Sequence, residues 1–139
     1  MNLKNLLAAI GGEIRDRNEV TGVSVDSRKI KPGMVFVAYE GVEVDGHNYI
    51  DQAIENGAVA VVGEKELKLN VVYVQVSDGR MAWAQLIAKM CGNPEKRLKI
   101  IGVTGTDGKT TTTNLIYSIL KTAGKKVGMV STIVAKIGE

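Results

Sequence analysis

The apolar residues of the first 91 positions alternate between helical and strand-like spacing. Leu3, Leu6, Leu7 and Ile10 recur every three or four residues ahead of a Gly-Gly pair, which is typical of a short helix that glycine ends. The run at 58–62 is apolar on both faces, as in a covered parallel strand. In chain order the pattern predicts a helix at 3–10, strands at 20–26 and 34–38, a helix at 48–56, strands at 58–62 and 71–76, and a helix from 78 to about 91.

A break in this pattern predicts a domain boundary near residue 97. Gly92-Asn93-Pro94-Glu95 ends the last helix, and the pattern then predicts a strand at 99–103, a loop rich in Gly and Thr, a helix ending before Gly124 and a strand at 127–134. This order is typical of the start of a parallel α/β domain. The predicted fold class is therefore α/β: a small amino-terminal domain at 1–97, followed at 98–139 by the first strand–loop–helix–strand unit of a parallel-sheet domain.

Composition agrees with a packed protein and narrows its surroundings. Hydrophobic residues make up 45% of the chain and charged residues 24%, and no apolar run approaches the roughly 20 residues that cross a bilayer. The start of the chain does not resemble a cleaved signal, so we expect a cytoplasmic protein. A single cysteine, Cys91, excludes an internal disulfide. Ten side chains are expected in the core of the amino-terminal domain: Leu6, Ile10, Val35, Val37, Ile54, Val59, Val61, Val74, Leu86 and Ile87.

Positive charge is concentrated after the predicted boundary. Residues 1–97 carry 12 Lys and Arg against 13 Asp and Glu, whereas residues 98–139 carry 6 against 2. A basic segment of this kind suits an anionic ligand. Nucleic acid is the rival ligand class, but the lysines are dispersed and the chain has one Trp and one Phe, so it lacks the aromatic residues on which bases stack.

The loop at 104–112 has the features of a phosphate-binding loop. It is predicted to lie between a strand and a helix, where glycines let several N–H groups converge and the helix dipole favours an anion. Lys109 would reach the β and γ phosphates, the Thr110 hydroxyl would coordinate magnesium, and Thr111 would donate a further hydrogen bond. The spacing differs from the general P-loop pattern, because Val103 stands where that pattern begins with Gly. The alternative is an ordinary Asp107-Gly108 turn beside a surface lysine.

Two separated blocks of sequence resemble the Mur ligase family. The block at 102–111, Gly-Val-Thr-Gly-Thr-Asp-Gly-Lys-Thr-Thr, resembles the ATP-binding signature of the family, in which Asn is more usual at the position of Asp107. The block at 25–58, with Asp26-Ser27-Arg28 and Asp45-Gly46-His47, resembles the amino-terminal domain of the MurE and MurF types. Thr106 and the stretch Cys91-Gly92-Asn93-Pro94 lean towards the MurE type.

The resemblance implies a role for each half of the chain. Residues 1–97 would bind the UDP-N-acetylmuramoyl-peptide substrate, and residues 98–139 would begin the central ATP-binding domain. The residues matched to the nucleotide-sugar site are Val25, Ser27, Val42, Glu43 and Val44. Those matched to the ATP site are Gly105, Thr106, Asp107, Gly108, Lys109, Thr110 and Thr111. Lys109 would be the catalytic residue and Thr110 the metal ligand, with ATP and Mg²⁺ as cofactors, whereas His47 is either a capping residue or a ligand contact.

By resemblance, the activity is an ATP-dependent amide-bond-forming ligase of peptidoglycan precursor synthesis. Such an enzyme adds a diamino acid, meso-diaminopimelate or L-lysine, to UDP-N-acetylmuramoyl-L-alanyl-D-glutamate through an acyl phosphate. The 139 residues alone are expected to be inactive and to need the remainder of a ligase chain. The expected partners are the UDP substrate and ATP, with no nucleic acid and no membrane insertion. The alternatives are a MurF-type ligase and a non-catalytic P-loop nucleotide-binding module, or a P-loop phosphatase or kinase-like protein.

Overall fold

The chain divides into two compact units. The computed structural model describes residues 1–13 and 18–137. The amino-terminal unit is Met1–Leu98 and the carboxy-terminal unit is Lys99–Glu139, so the division falls one residue after the position at which the sequence places it. Within the described residues, no helix has both the length and the apolar character needed to cross a membrane.

A four-stranded parallel sheet forms the centre of the amino-terminal unit. Its strands are β1 (Gly22–Ser24), β2 (Met34–Val37), β3 (Ala60–Gly63) and β4 (Val72–Gln75), and they lie side by side in chain order. Val35 pairs with Val23 on one side and with Ala60 on the other. Because all strands run in the same direction, their carboxyl ends share one edge of the sheet. The expected α/β class is confirmed by this sheet and its helices.

Helices cover both faces of this sheet. They are α1 (Leu3–Leu7), α2 (Ile50–Glu55) and α3 (Gly79–Met90), and short 3₁₀ turns lie at 8–10, 27–29, 46–49 and 94–96. Asn2 caps α1 by accepting a hydrogen bond from the Asn5 N–H at 2.8 Å, and Asp78 caps α3 in the same way through the Met81 N–H at 2.8 Å. The helices begin where these side chains satisfy the first free N–H groups.

Alternation along the strands sends successive side chains into two separate cores. Val35 and Val37 pack with α1 and α3 on one face, whereas Phe36 packs with α2 on the other. The first core contains Leu3, Leu6, Leu7, Val20, Val35, Val37, Ala60, Val62, Ala82 and Leu86. The second contains Ile30, Phe36, Ala38, Ile50, Ala53, Ala58 and Val61. Ile87, expected in the core, is instead 36% exposed, because it lies on the outer side of α3.

The carboxy-terminal unit differs from its predicted strand order. Its helix is α4 (Lys109–Thr122), followed by β5 (Gly128–Val130) and β6 (Ala135–Ile137), which pair antiparallel. The predicted strand at 99–103 is not formed within the described residues, and the predicted strand at 127–134 is interrupted by a turn at Ser131. A strand needs a neighbour for its backbone groups, and the described residues pair none with 99–103. The parallel pairing expected for this unit is therefore absent among them.

Candidate functional site

A cleft of about 720 Å³ opens at the carboxyl ends of β1 and β2. In open α/β sheets this edge is the usual place for a ligand, and the volume lies within the range of small-molecule pockets. The cleft is lined by Val25, Asp26, Ser27, Arg28, Val37, Tyr39, Gly41, Val42, Glu43, Val44, Gly46, Tyr49 and Gln52. All five residues that the sequence matched to a nucleotide-sugar site are in this set, so the fold brings together two segments 15 or more positions apart.

Ser27 is held from two sides by α2. Its hydroxyl donates to the Gln52 Oε1 atom at 2.5 Å, and its carbonyl oxygen accepts from the Asn56 Nδ2 atom at 2.9 Å. Ser27 is 5% exposed, and among the described residues it is the only polar residue that is buried. A buried hydroxyl with a defined partner has a fixed orientation, as a binding residue requires.

The carboxylate of Asp26 organises the turn that carries Ser27. Its Oδ1 atom accepts a hydrogen bond from the backbone N–H of Arg28 at 3.1 Å. The Arg28 guanidinium donates two further hydrogen bonds, of 2.9 Å each, to the carboxylate oxygens. The side-chain hydrogen bonds from Arg28 hold the pKa of Asp26 below its ordinary value. The Arg28 side chain is 81% exposed at the margin of the cleft, and its charge is paired with that of the Asp26 carboxylate.

The segment 41–44 forms a tight turn beside the cleft. The Gly41 N–H donates to the Val44 carbonyl at 2.9 Å, and a Cβ atom at Gly41 would lie 2.7 Å from that oxygen, so this position requires glycine. The turn leaves Val42 95% and Val44 53% exposed. Exposed apolar side chains beside a cleft are available to cover a ligand.

His47 supports this turn from behind and does not line the cleft. Its Nδ1 atom lies 2.6 Å from the Asp45 Oδ1 atom, and its Nε2 atom accepts from the Glu64 N–H at 3.0 Å. Because Nε2 accepts, the ring proton is on Nδ1, and the imidazole bridges the turn to the end of β3. Its side chain is 4% exposed. His47 is therefore a structural residue in this fold, which answers the question that the sequence left open.

Asp45 joins the same network to a lysine. Its Oδ2 atom lies 2.5 Å from the Lys65 Nζ atom, and its Oδ1 atom also accepts from the His47 N–H at 2.9 Å. The Lys65 hydrogen bond, together with those from His47, holds the pKa of Asp45 far below its ordinary value of 3.8. Asp45 is therefore a carboxylate at neutral pH and fixes the base of the 41–44 turn.

Three cleft residues were not identified from the sequence. Tyr39, Tyr49 and Gln52 lie at the end of β2, in the 3₁₀ turn and on α2, and in the sequence each resembles an ordinary surface or core residue. The Arg80 guanidinium lies 5.4 Å from the centre of the Tyr39 ring, at cation–π distance. Tyr39 directly follows the predicted apolar run at 34–38, whereas Tyr49 lies inside the predicted helix at 48–56, and neither was matched to the nucleotide-sugar site.

The loop at 104–112 leads into an uncapped helix. Gly108, with φ of 77°, is the N-cap of α4, and no described side chain accepts a hydrogen bond from the first turn. The first helical bond runs from the Thr112 N–H to the Gly108 carbonyl at 2.9 Å. The N–H groups of residues 109–111 therefore come before the first helical hydrogen bond and lie at the positive end of the helix dipole. This geometry suits a phosphate group.

The Lys109 side chain folds back over the loop. Its Nζ atom donates to the carbonyl oxygen of Gly105 and, at 2.8 Å, to that of Thr106. Gly105 has a φ of 145°, a conformation open to glycine, and this brings its carbonyl within reach of the ammonium. The lysine thus closes a small ring of 105–109, with its charge at the centre of the loop.

The other residues matched to ATP lie on the same short segment. The Thr110 carbonyl accepts from the Asn114 Nδ2 atom at 2.8 Å, and the Thr110 hydroxyl has no hydrogen-bond partner among the described residues. Thr106, Asp107 and Thr111 are exposed. The seven residues lie together because they are consecutive in the chain, and the distinctive feature is the uncapped helix that follows.

Comparison with protein families identifies the chain. The family model described as "Mur ligase family, catalytic domain" matches residues 19–91, more than half of the chain, and the model of the Mur ligase middle domain matches residues 103–138. The chain belongs to the Mur ligase family. The resemblance found in the two sequence blocks is confirmed: the block at 25–58 lies within the first match, and the block at 102–111 lies within the second except for Gly102.

Curated relatives align with all or most of the chain. It is 44% identical to the UDP-N-acetylmuramoyl-L-alanyl-D-glutamate–2,6-diaminopimelate ligase of Geobacillus thermodenitrificans, with 100% of this chain and 29% of the relative aligned. The ligase of the same name from Halalkalibacterium halodurans is 47% identical over 86% of this chain and 25% of its own length. The chain thus spans under a third of the length of these Mur ligases.

Solved structures of Mur ligases have the same fold. A UDP-N-acetylmuramoyl-L-alanyl-D-glutamate–2,6-diaminopimelate ligase matches 99% of this chain and 29% of its own, with a TM-score of 0.78 and 26% identity. The MurF ligase of Thermotoga maritima in complex with ADP matches 76% of this chain and 24% of its own, with a TM-score of 0.55 and 33% identity. A Mur ligase structure in this set therefore holds an adenine nucleotide.

Proposed function

We propose that this chain supplies the uridine-nucleotide site and the ATP-phosphate loop of a MurE-type ligase. The enzyme would join a diamino acid to UDP-N-acetylmuramoyl-L-alanyl-D-glutamate during peptidoglycan precursor synthesis. The names of the curated relatives favour 2,6-diaminopimelate as that amino acid over L-lysine. Sequence identity also favours the MurE type over the MurF type. The chain is 44% and 47% identical to these two relatives, but 33% identical to the MurF ligase of known structure.

One observation carries the substrate half of the proposal. Five residues matched by resemblance to the nucleotide-sugar site surround a single cleft of about 720 Å³. Ser27 would provide a fixed polar contact, whereas Val42 and Val44 would cover the ligand from the turn. Val25 and Glu43 complete the two sides of the cleft. The walls thus combine apolar surface with a few placed polar groups, as is usual for nucleotide sites.

The ATP half rests on the start of α4. The free N–H groups of residues 109–111 and those of the glycine loop would bind the phosphates, and the Lys109 ammonium would offset the charge of the transferring phosphoryl group. In doing so, Lys109 would exchange its two carbonyl partners for phosphate oxygens. The residues fit Mg²⁺ as well, since the Thr110 hydroxyl is unpartnered among the described residues. Bound Mg²⁺ would neutralise phosphate charge.

The chemistry requires both sites. Transfer of the γ-phosphoryl group to the substrate carboxylate forms an acyl phosphate and ADP. The amine of the incoming amino acid then attacks the acyl carbon, so that a C–N bond forms, a C–O bond breaks and phosphate leaves with the electron pair. A free carboxylate lacks such a leaving group at neutral pH. Within this chain, Lys109 is the residue that would act on the reacting phosphate.

Substitution of Lys109 tests the ATP half directly. Lys109→Ala should weaken Mg-ATP binding by about tenfold or more, because a charge-assisted contact to phosphate is lost. Isothermal calorimetry at one fixed salt concentration measures the change. Lys125→Ala, which removes another exposed lysine beyond the end of α4, is the matched control and should leave the affinity unchanged. Equal affinity in the Lys109→Ala and parent proteins would remove the phosphate role.

A further inference from the structure

The hydroxyl proton of Ser27 is already engaged within the protein. It is donated to the Gln52 Oε1 atom at 2.5 Å, so the Ser27 Oγ atom offers only lone pairs to a ligand in the cleft. Asn56 fixes the same residue independently, through its carbonyl oxygen. Both Ser27 and Gln52 line the cleft. The polar group that the cleft presents at Ser27 is therefore a hydrogen-bond acceptor with a fixed position.

The Gln52 amide supplies the complementary donor. Its oxygen is occupied by Ser27, whereas its Nε2 atom has no hydrogen-bond partner within residues 1–13 and 18–137. An amide nitrogen has two N–H donors. Because the two side chains are hydrogen-bonded to each other, the cleft presents an acceptor oxygen beside a donor nitrogen.

The groups of a uridine nucleotide differ in how they fit this pair. A diphosphate offers only acceptors at neutral pH and would oppose the Ser27 oxygen, and ribose hydroxyls donate or accept equally well. The imide edge of uracil has an N–H donor flanked by carbonyl acceptors, which complements an acceptor beside a donor. The corresponding edge of cytosine has a ring-nitrogen acceptor beside an amino donor, which is the reverse pattern.

We propose that Gln52 is a specificity-determining residue that orients the Ser27 hydroxyl and, together with it, recognises the imide edge of a uracil base. The inference rests on the proposed function, in which the cleft binds a uridine nucleotide. It adds that Ser27 faces the base and not the diphosphate, and that Gln52 sets the choice between pyrimidines. Arg28, already paired with Asp26 at the cleft margin, takes no part in that choice.

The test compares uridine diphosphate with cytidine diphosphate on the 139-residue chain. The two probes share ribose and diphosphate, so the ratio of their dissociation constants isolates the base. The parent chain should prefer the uridine compound by about tenfold or more. Gln52→Leu and Ser27→Ala should both bring the ratio close to one. Calorimetry gives the constants, and circular dichroism checks that each variant is folded.

Two further variants keep the result decisive. Glu55→Gln changes an exposed side chain on α2 that bonds to neither Ser27 nor Gln52, so it should keep the parent ratio. Gln52→Glu preserves a polar side chain on α2 if the leucine variant fails to fold. Its carboxylate lacks the donor that uracil needs and can accept from the cytosine amino group, so the ratio should fall.

The outcomes separate the inference from the proposed function. Uridine diphosphate binding with a ratio that Gln52→Leu and Gln52→Glu leave unchanged would overturn the inference, while the uridine site would stand. The same conclusion holds if the parent chain binds both probes equally. If the parent chain binds neither probe at millimolar concentration, the uridine site itself is wrong. Loss of preference in both Gln52 variants, with Glu55→Gln unchanged, supports the inference.

Discussion

The two units of the chain contain similar elements but bury their apolar side chains to very different extents. In the amino-terminal unit a four-stranded sheet is covered on both faces and encloses two cores. In the described part of the carboxy-terminal unit, Tyr117 and Met129 are the buried apolar side chains. Large apolar residues remain exposed there: Ile100, Ile101, Leu115, Ile119, Val130, Ile133, Val134 and Ile137. The same α/β pattern forms a packed layer only where strands find neighbours.

This difference affects the two candidate sites in different ways. The cleft depends on the packed sheet, because residues 25–28 and 39–46 meet only when β1 and β2 pair. The loop at 105–111 depends on a single helix end, so its geometry is local. Substitutions in a core of the amino-terminal unit should therefore affect the cleft, whereas the loop needs little more than α4.

The largest expected effect separates a buried from an exposed apolar residue. Phe36→Ala should lower the free energy of unfolding by about 3–5 kcal/mol, because Phe36 is fully buried and its loss leaves a cavity. Ile119→Ala should cost about 0.5 kcal/mol or less, since Ile119 is 58% exposed on α4. Urea unfolding followed by circular dichroism measures both. A comparable cost for Ile119→Ala would mean that this face of α4 is covered in solution.

A smaller effect concerns pH and the support of the cleft. The pKa of Asp45 is lowered in the folded chain, chiefly by Lys65, so its contribution to stability is complete above its ordinary pKa of 3.8. That contribution should be lost progressively as the pH falls below roughly 4. Asp45→Asn should remove this part of the acid dependence. Unfolding measurements between about pH 2 and 6, roughly the range in which Asp carboxyl groups titrate, would reveal it.

The control for this prediction is Asp51→Asn. Asp51 is an exposed carboxylate in the first turn of α2 and forms no ion pair among the described residues. Its substitution should leave the acid dependence almost unchanged. If Asp45→Asn and the parent chain lost stability in parallel on acidification, the Asp45–Lys65 pair would have no measurable role in the fold.

The sequence predicted the elements whose apolar pattern is self-contained. β2, β3 and α3 follow from an apolar run or a helical repeat with its own end signals, such as the Asp78 cap. The prediction of a strand at 99–103 is wrong, because the apolar pattern of this segment fits a strand but no described segment pairs with it. Local pattern gives the preference of a segment, and pairing depends on distant residues.

The sites divide in the same way. The phosphate loop is continuous in sequence, so its residues could be named from spacing and from the resemblance. The cleft is assembled from separate segments, and Gln52 could not be recognised because an exposed glutamine on a helix has no distinctive pattern. Its bond to Ser27, 25 positions away, exists only in the folded chain. The support of the turn by His47 is also a property of tertiary contacts.

The most direct test of the two-site proposal is a pair of titrations followed by amide NMR. UDP-N-acetylmuramoyl-L-alanyl-D-glutamate added to the chain should shift the amides of residues 25–28 and 41–46 and leave those of 105–111 in place. Mg-ATP should do the opposite, with the largest shifts at the start of α4. No response to the uridine compound at millimolar concentration, or shifts confined to residues outside both sets, would contradict the proposal.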